Sequence, residues 1–63
     1  MWIKLKDNNL LNLNHCEAID LDNGVNVFRI IYQQKRTGNN VDVFTSKKER
    51  DDRFNEIQKL LGV

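Results

Sequence analysis

The one neighbouring pair in this 63-residue chain with the makings of a reactive centre is His15 beside Cys16. An imidazole next to a thiol can activate it as a nucleophile, and both groups can ligate metal. Adjacent residues on a strand point to opposite faces, so these two would not chelate one ion together. The chain has one cysteine and one histidine, which leaves nothing to complete a structural zinc site or an internal disulfide. No base is predicted beside the thiol, as cysteine catalysis requires. A buried free cysteine then behaves as a small apolar residue.

Carboxylates stand at Glu17, Asp20, Asp22, Asp42, Glu49, Asp51, Asp52 and Glu56. Asp51 and Asp52 fall at the start of a predicted helix, where the macrodipole favours negative charge, and that structural role accounts for them. No glycine-rich loop is present to cradle phosphate. A chain this short also has little volume with which to enclose a pocket. No catalytic residue, metal, cofactor or small-molecule substrate is expected, and the chain reads as a non-enzyme.

A third set has more substance. Trp2 and Phe44, with Lys4, Lys6 and Arg29, have the composition of a platform that stacks single-stranded nucleic acid. Lys35, Arg36, Lys47 and Lys48 add charge towards one end. Against this stand Asp42 on the same predicted face and a formal net charge of only +1. Protein interfaces draw on the same residue types, because tryptophan, phenylalanine and arginine are enriched there too. A protein-binding or self-associating face of Trp2, Val27, Arg29, Ile31 and Phe44 is therefore the first expectation. Nucleic-acid contact through Trp2, Lys4, Lys6, Arg29 and Phe44 is the alternative.

Those residues need elements to hold them. Residues 1–6 alternate apolar and polar, as a half-buried strand does. Asp7-Asn8-Asn9 supplies turn chemistry, and a second strand is expected over 10–21. Its apolar phase slips near 14–17, which calls for a bulge or irregular stretch. Asn23-Gly24 is a hairpin signal suited to a type I′ turn. A strand rich in branched and aromatic residues follows over 25–34, then a polar loop holding Gly38, then a strand over 41–45. Ser46 and Glu49 form a capping box. Phe54, Ile57, Leu60 and Leu61 recur at helical spacing over 47–61, and Gly62 suits the position after a helix. Lys48–Asp52 and Glu49–Arg53 are predicted ion pairs on the polar face of that helix.

The expected fold is α+β: a four-stranded antiparallel curled sheet, a β-meander, closed by one C-terminal helix within a single small domain. Ile3, Leu5, Leu11, Leu13, Phe28, Ile30 and Tyr32 are expected to face the helix, with Val41 and Val43. Arg29 is costly to bury unpaired, so it points away. The far face then carries Trp2, Val27, Ile31 and Phe44 with Lys4, Arg29 and Asp42. Several large apolar groups on one open face call for a cover.

Size points the same way. A domain this short buries only about 60% of the surface of its unfolded chain, and oligomerisation is one common supplement. A homo-oligomer or a protein partner is expected. The opening Met1-Trp2-Ile3-Lys4 lacks the apolar core of a signal peptide, and no apolar run spans a bilayer. With a free cysteine, this places the expected chain in a bacterial or phage-encoded, cytoplasmic setting.

At the level of pattern, the chain resembles the flagellar FlbD-type proteins, small bacterial proteins with a curled sheet and a C-terminal helix. Met1-Trp2-Ile3-Lys4-Leu5, Leu13-Asn14 with Ala18-Ile19, Gly38, and Val41-Asp42-Val43 before the final helix carry the likeness, over nearly the full length. The order of elements is also similar to the C-terminal half of a pleckstrin-homology-like fold. The resemblance implies an accessory or regulatory protein that binds other proteins or itself, and it brings no catalytic residues. The chain departs from the FlbD-type pattern in its longer third strand, its polar Gln33-Gln34-Lys35-Arg36 stretch and its charged helix.

Overall fold

A computed structural model describes residues 1–34 and 38–62. Its α+β architecture has five strands in two antiparallel sheets, followed by the C-terminal helix. Strands β1 (Trp2–Lys4) and β2 (Leu10–Asn12) make a small hairpin. Strands β3 (Cys16–Gly24), β4 (Val27–Gln34) and β5 (Gly38–Phe44) make the second sheet in that order, with β4 central. Helix α1 is Lys47–Leu61.

The expectation of one four-stranded sheet is thereby corrected: the strand read over 10–21 is two strands. The Asn12 carboxamide accepts the Asn14 N–H at 3.0 Å and starts a 3₁₀ turn over Leu13–His15. The Leu13 N–H meanwhile donates to the Met1 carbonyl at 2.8 Å, closing the hairpin behind it. β3 leaves the turn in a new direction and gains one further irregularity. Cys16 pairs with Gln34 and Ala18 with Gln33, so Glu17 is an extra residue in the ladder.

Turn chemistry also differs from the motif reading in one place. Gly24 pairs with Val27, so the β3–β4 loop is Val25 and Asn26, and Asn26 takes the left-handed backbone at φ 58°. Gly24 is needed for another reason. A Cβ built there would lie 2.6 Å from Val27 Cγ2, closer than real contacts permit.

The helix forms where its caps dictate. The Ser46 side chain accepts the Glu49 N–H at 3.3 Å, and Gly62 at φ 80° ends it with its N–H on the Gln58 and Lys59 carbonyls. Ile57 is wholly buried and Phe54 packs beside it, whereas Leu60 and Leu61 remain exposed. Arg50, one turn before Phe54, takes the place in the buried stripe that the apolar pattern left blank. Lys48 pairs with Asp52 at 2.8 Å, but Arg53 bonds Glu56 rather than the expected Glu49.

Hairpin, sheet and helix share one core of Ile3, Leu5, Leu11, Leu13, Ile30, Tyr32, Phe44 and Ile57, with Phe28 and Phe54 packed against it. The hairpin and the helix therefore lie on the same side of the three-stranded sheet. β5 is turned over relative to the sequence reading. Asp42 and Phe44 are buried against the helix side, and Val41 and Val43 face out. Asp42 tolerates burial because its carboxylate is satisfied. Oδ1 accepts the Lys6 N–H at 3.0 Å and Oδ2 accepts the Tyr32 hydroxyl at 3.1 Å.

Candidate interaction surface

Strand alternation and register fix what the uncovered side of the three-stranded sheet presents. On β4 it carries Val27, Arg29, Ile31 and Gln33, since Ile30 and Tyr32 point the other way. Across the ladder, Arg29 lies opposite Val43 and Asp22, and Ile31 lies opposite Val41 and Asp20. Val27, Ile31, Val41 and Val43 thus form one aliphatic stripe over β4 and β5. Val41 and Val43 are 42% and 47% exposed. The β3 margin of the face is polar.

Those polar groups are paired with one another. Arg29 Nη1 donates to Asp22 Oδ2 at 2.6 Å, and Gln33 Nε2 donates to Asp20 Oδ2. Gly24, without a side chain, leaves the room in which the Arg29 guanidinium lies. The face is an apolar stripe with a self-satisfied acidic edge, and no described element covers it.

The two outer strands of this sheet are each engaged by a cation. Lys6 Nζ donates to the Val43 carbonyl of β5 at 3.0 Å and sits 4.5 Å from the centre of the Phe44 ring. Arg50 Nη1 donates to the Asp22 carbonyl of β3 at 3.0 Å and also bonds the Asn23 side chain. The same guanidinium bonds Asp51 and lies over the Phe28 ring. Charged groups on an outer strand discourage strand-to-strand pairing with another chain.

The five residues read as one interface are not on one face. Val27, Arg29 and Ile31 share the outer sheet face, and alternation alone could have placed Val41 and Val43 beside them had the phase of β5 been known. Phe44 is 5% exposed and belongs to the core. Trp2, 63% exposed, sits on the separate hairpin with Leu10. Among the residues read for nucleic acid, Lys4 is exposed beside Trp2, but Lys6 and Arg29 are engaged as above. Lys47 and Lys48 are exposed at the start of α1, and Lys35 and Arg36 lie outside the described residues.

His15 is exposed at the end of the 3₁₀ turn, and Cys16 is partly buried with its Sγ 4.0 Å from the Asn12 carbonyl. Burial pushes the Cys16 thiol above its ordinary pKa, opposite to what an activated nucleophile needs. Among the described residues no cluster of three or more His, Cys, Asp or Glu is placed to hold a metal ion, and no helix is long and apolar enough to cross a membrane. An apolar groove of about 250 Å³ runs between β3 and α1, lined by Leu13, Cys16, Ile19, Phe54 and Leu61.

Compared with known proteins, the chain matches no family model, no curated relative and no solved structure. The likeness to FlbD-type and pleckstrin-homology-like proteins therefore rests on the residue pattern alone.

Proposed function

We propose that this chain is a non-enzymatic interaction module that pairs with a second copy of itself through the outer face of β3, β4 and β5. The observation that carries this reading is the uncovered stripe of Val27, Ile31, Val41 and Val43, whose polar neighbours already satisfy each other. A partner need only supply apolar surface, with each buried Å² of it worth about 25 cal/mol before the costs of association. A second copy supplies the same surface.

The geometry weighs against single-stranded nucleic acid at this face. Its Arg29 cation is committed to Asp22, and Asp20 and Asp22 add negative charge that phosphates would meet. The engaged outer strands weigh against pairing by strand addition.

Amide NMR spectra over a concentration series test the reading. Signals of Val27, Ile31, Val41 and Val43 shift together as the chain associates, while those of α1 hold still. Concentration-dependent shifts confined to α1 or to the β1–β2 hairpin would contradict it.

A further inference from the structure

Asn23-Gly24 is the one Asn-Gly step in the chain; the other eight asparagines precede Asn, Leu, His, Val or Glu. Such a step carries its own chemistry. The backbone nitrogen of the following residue can attack the side-chain amide carbon, and glycine has no Cβ to hinder the approach. Both reacting groups are restrained here. Asn23 is opposite Phe28 and points to the helix side of β3, where Arg50 Nη1 donates to its Oδ1 and also to the Asp22 carbonyl at 3.0 Å. Gly24 is held in the ladder opposite Val27. The next two residues are the loop tip, with Val25 90% exposed and Asn26 in left-handed backbone. The step therefore lies at the exposed end of a hairpin, where local opening is easiest, and a side chain from α1 fastens it.

We propose that Asn23 is a self-modification site that deamidates through Gly24 and is latched by Arg50. In the reaction the Gly24 nitrogen bonds to Asn23 Cγ, the Cγ–Nδ2 bond breaks, and the Gly24 amide proton leaves with Nδ2 as ammonia. Water then opens the cyclic imide at either carbonyl, giving aspartate or isoaspartate. Ring closure requires β3 to leave its extended form at Asn23 and the carboxamide to turn towards Gly24. The Arg50 bond holds that carboxamide towards the helix and opposes the turn. The same bond polarises the Asn23 carbonyl, but polarisation does nothing for a carbon that the nitrogen does not reach. Reaction therefore waits for the hairpin end to open and the latch to release. Each event adds one carboxylate, which takes the formal net charge from +1 to zero. Aspartate here keeps Arg50 as its counter-ion, a stronger pair than the amide made. Isoaspartate carries the main chain through the side-chain carbon, which adds one atom to β3 and displaces Gly24 from Val27.

The intact chain is incubated in mildly alkaline buffer, folded and in urea, and mass spectrometry of the peptide holding Asn23 follows the exchange of amide for acid. The folded chain is expected to react at least about ten-fold more slowly than the unfolded one, because a charge-assisted hydrogen bond must first break. Arg50→Met keeps apolar cover over Phe28 but has no donor, and should speed the folded reaction by about ten-fold. Tyr32→Phe loosens the core without touching the latch and controls for general unfolding. Rates are compared after correction for each variant's measured unfolding equilibrium. Arg50→Lys, shorter and without the guanidinium fork, takes the place of Arg50→Met should that variant not fold. The proposal is overturned by equal rates in the folded and unfolded chain, or by a substituted chain no faster than its loss of stability accounts for. A substituted chain slower than its parent overturns it too, since Arg50 would then activate the amide. Self-association does not enter, because Asn23 lies on the side of the sheet opposite the outer face.

Discussion

The Tyr32 hydroxyl donates to Asp42 Oδ2 at 3.1 Å inside the core, joining β4 to β5 beneath the helix. Both side chains are almost inaccessible, and the other Asp42 oxygen holds the Lys6 N–H, so one carboxylate ties the hairpin and the sheet together. This contact decides which way β5 faces, and with it which residues remain on the open side.

Tyr32 makes the fold sensitive to alkali. Burial first, then the Asp42 charge, then their hydrogen bond, drive the phenol's pKa far above its ordinary value near 10. A folded-state value raised above the unfolded one gives stability that is fully present below about pH 10 and is lost as pH climbs beyond it. Tyr32 is the only tyrosine, so phenolate absorbance reads it alone. The phenolate should appear only together with loss of far-ultraviolet circular dichroism. Titration near pH 10 in a chain still folded would show that the hydroxyl is not held as described.

Asp42→Ala leaves the buried Tyr32 hydroxyl and the part-buried Lys6 N–H without an acceptor. The cost should be about 2–4 kcal/mol in chemical denaturation, as each abandoned donor forfeits about 1–3 kcal/mol. Tyr32→Phe removes a single bond and should cost less. A neutral Asp42→Ala would mean that the residue faces water.

Gly24→Ala brings a methyl group against Val27 Cγ2, a stiff branched side chain. Overpacking of this kind costs about 1–3 kcal/mol. The double variant Gly24→Ala, Val27→Ala should recover part of the loss, and a double-mutant cycle measures the coupling. Strictly additive effects would contradict the close approach.

Arg50 is 3% exposed and spends its guanidinium on Asp22, Asn23 and Asp51 while lying over Phe28. Arg50→Ala uncovers the Phe28 ring and strands the Asp22 carbonyl, and should cost about 2–4 kcal/mol. It should also free the β3 edge and raise thioflavin binding on long incubation. Arg50→Met restores the packing but not the bonds, so it should recover stability more than it recovers protection of the edge.

The helix was readable because its signals are local: Ser46 and Glu49 start it, Phe54 and Ile57 set its buried stripe, and Gly62 ends it. The core side of β4 was readable too, because Arg29 had to face out. β5 was not, since Val41-Asp42-Val43-Phe44 alternates cleanly and a two-residue period defines two faces without saying which is inside. Hydrophobicity favoured the valines, but a large ring and a carboxylate satisfied by two donors won the interior. Both donors come from far away in the chain, at Lys6 and Tyr32, so no local pattern could announce them. Trp2 lies on the hairpin and not on the sheet face for a related reason. The Asn12 carboxamide that starts the 3₁₀ turn, and so detaches the hairpin from β3, is one residue among many asparagines. Val27, Arg29 and Ile31 were legible as a group, and the two valines completing their stripe were not.

The face offered for association is small. Three strands spaced about 4.8 Å apart and about 20 Å long span roughly 300 Å² in projection. A standard interface buries about 800 Å² per partner, so pairing here should be weak, with a Kd in the micromolar range or above. Arg29→Ala should change it little in salt, because the guanidinium is matched within its own chain by Asp22.

Sedimentation equilibrium on the unaltered chain and on Val43→Asp tests the central claim most directly. Val43 is about half exposed, so the substitution should leave the fold intact while placing a charge in the aliphatic stripe. The account predicts a reversible monomer–dimer equilibrium for the unaltered chain and a monomer for the variant at every concentration. A chain that stays monomeric at millimolar concentration, or a variant that dimerises as well as its parent, would contradict it.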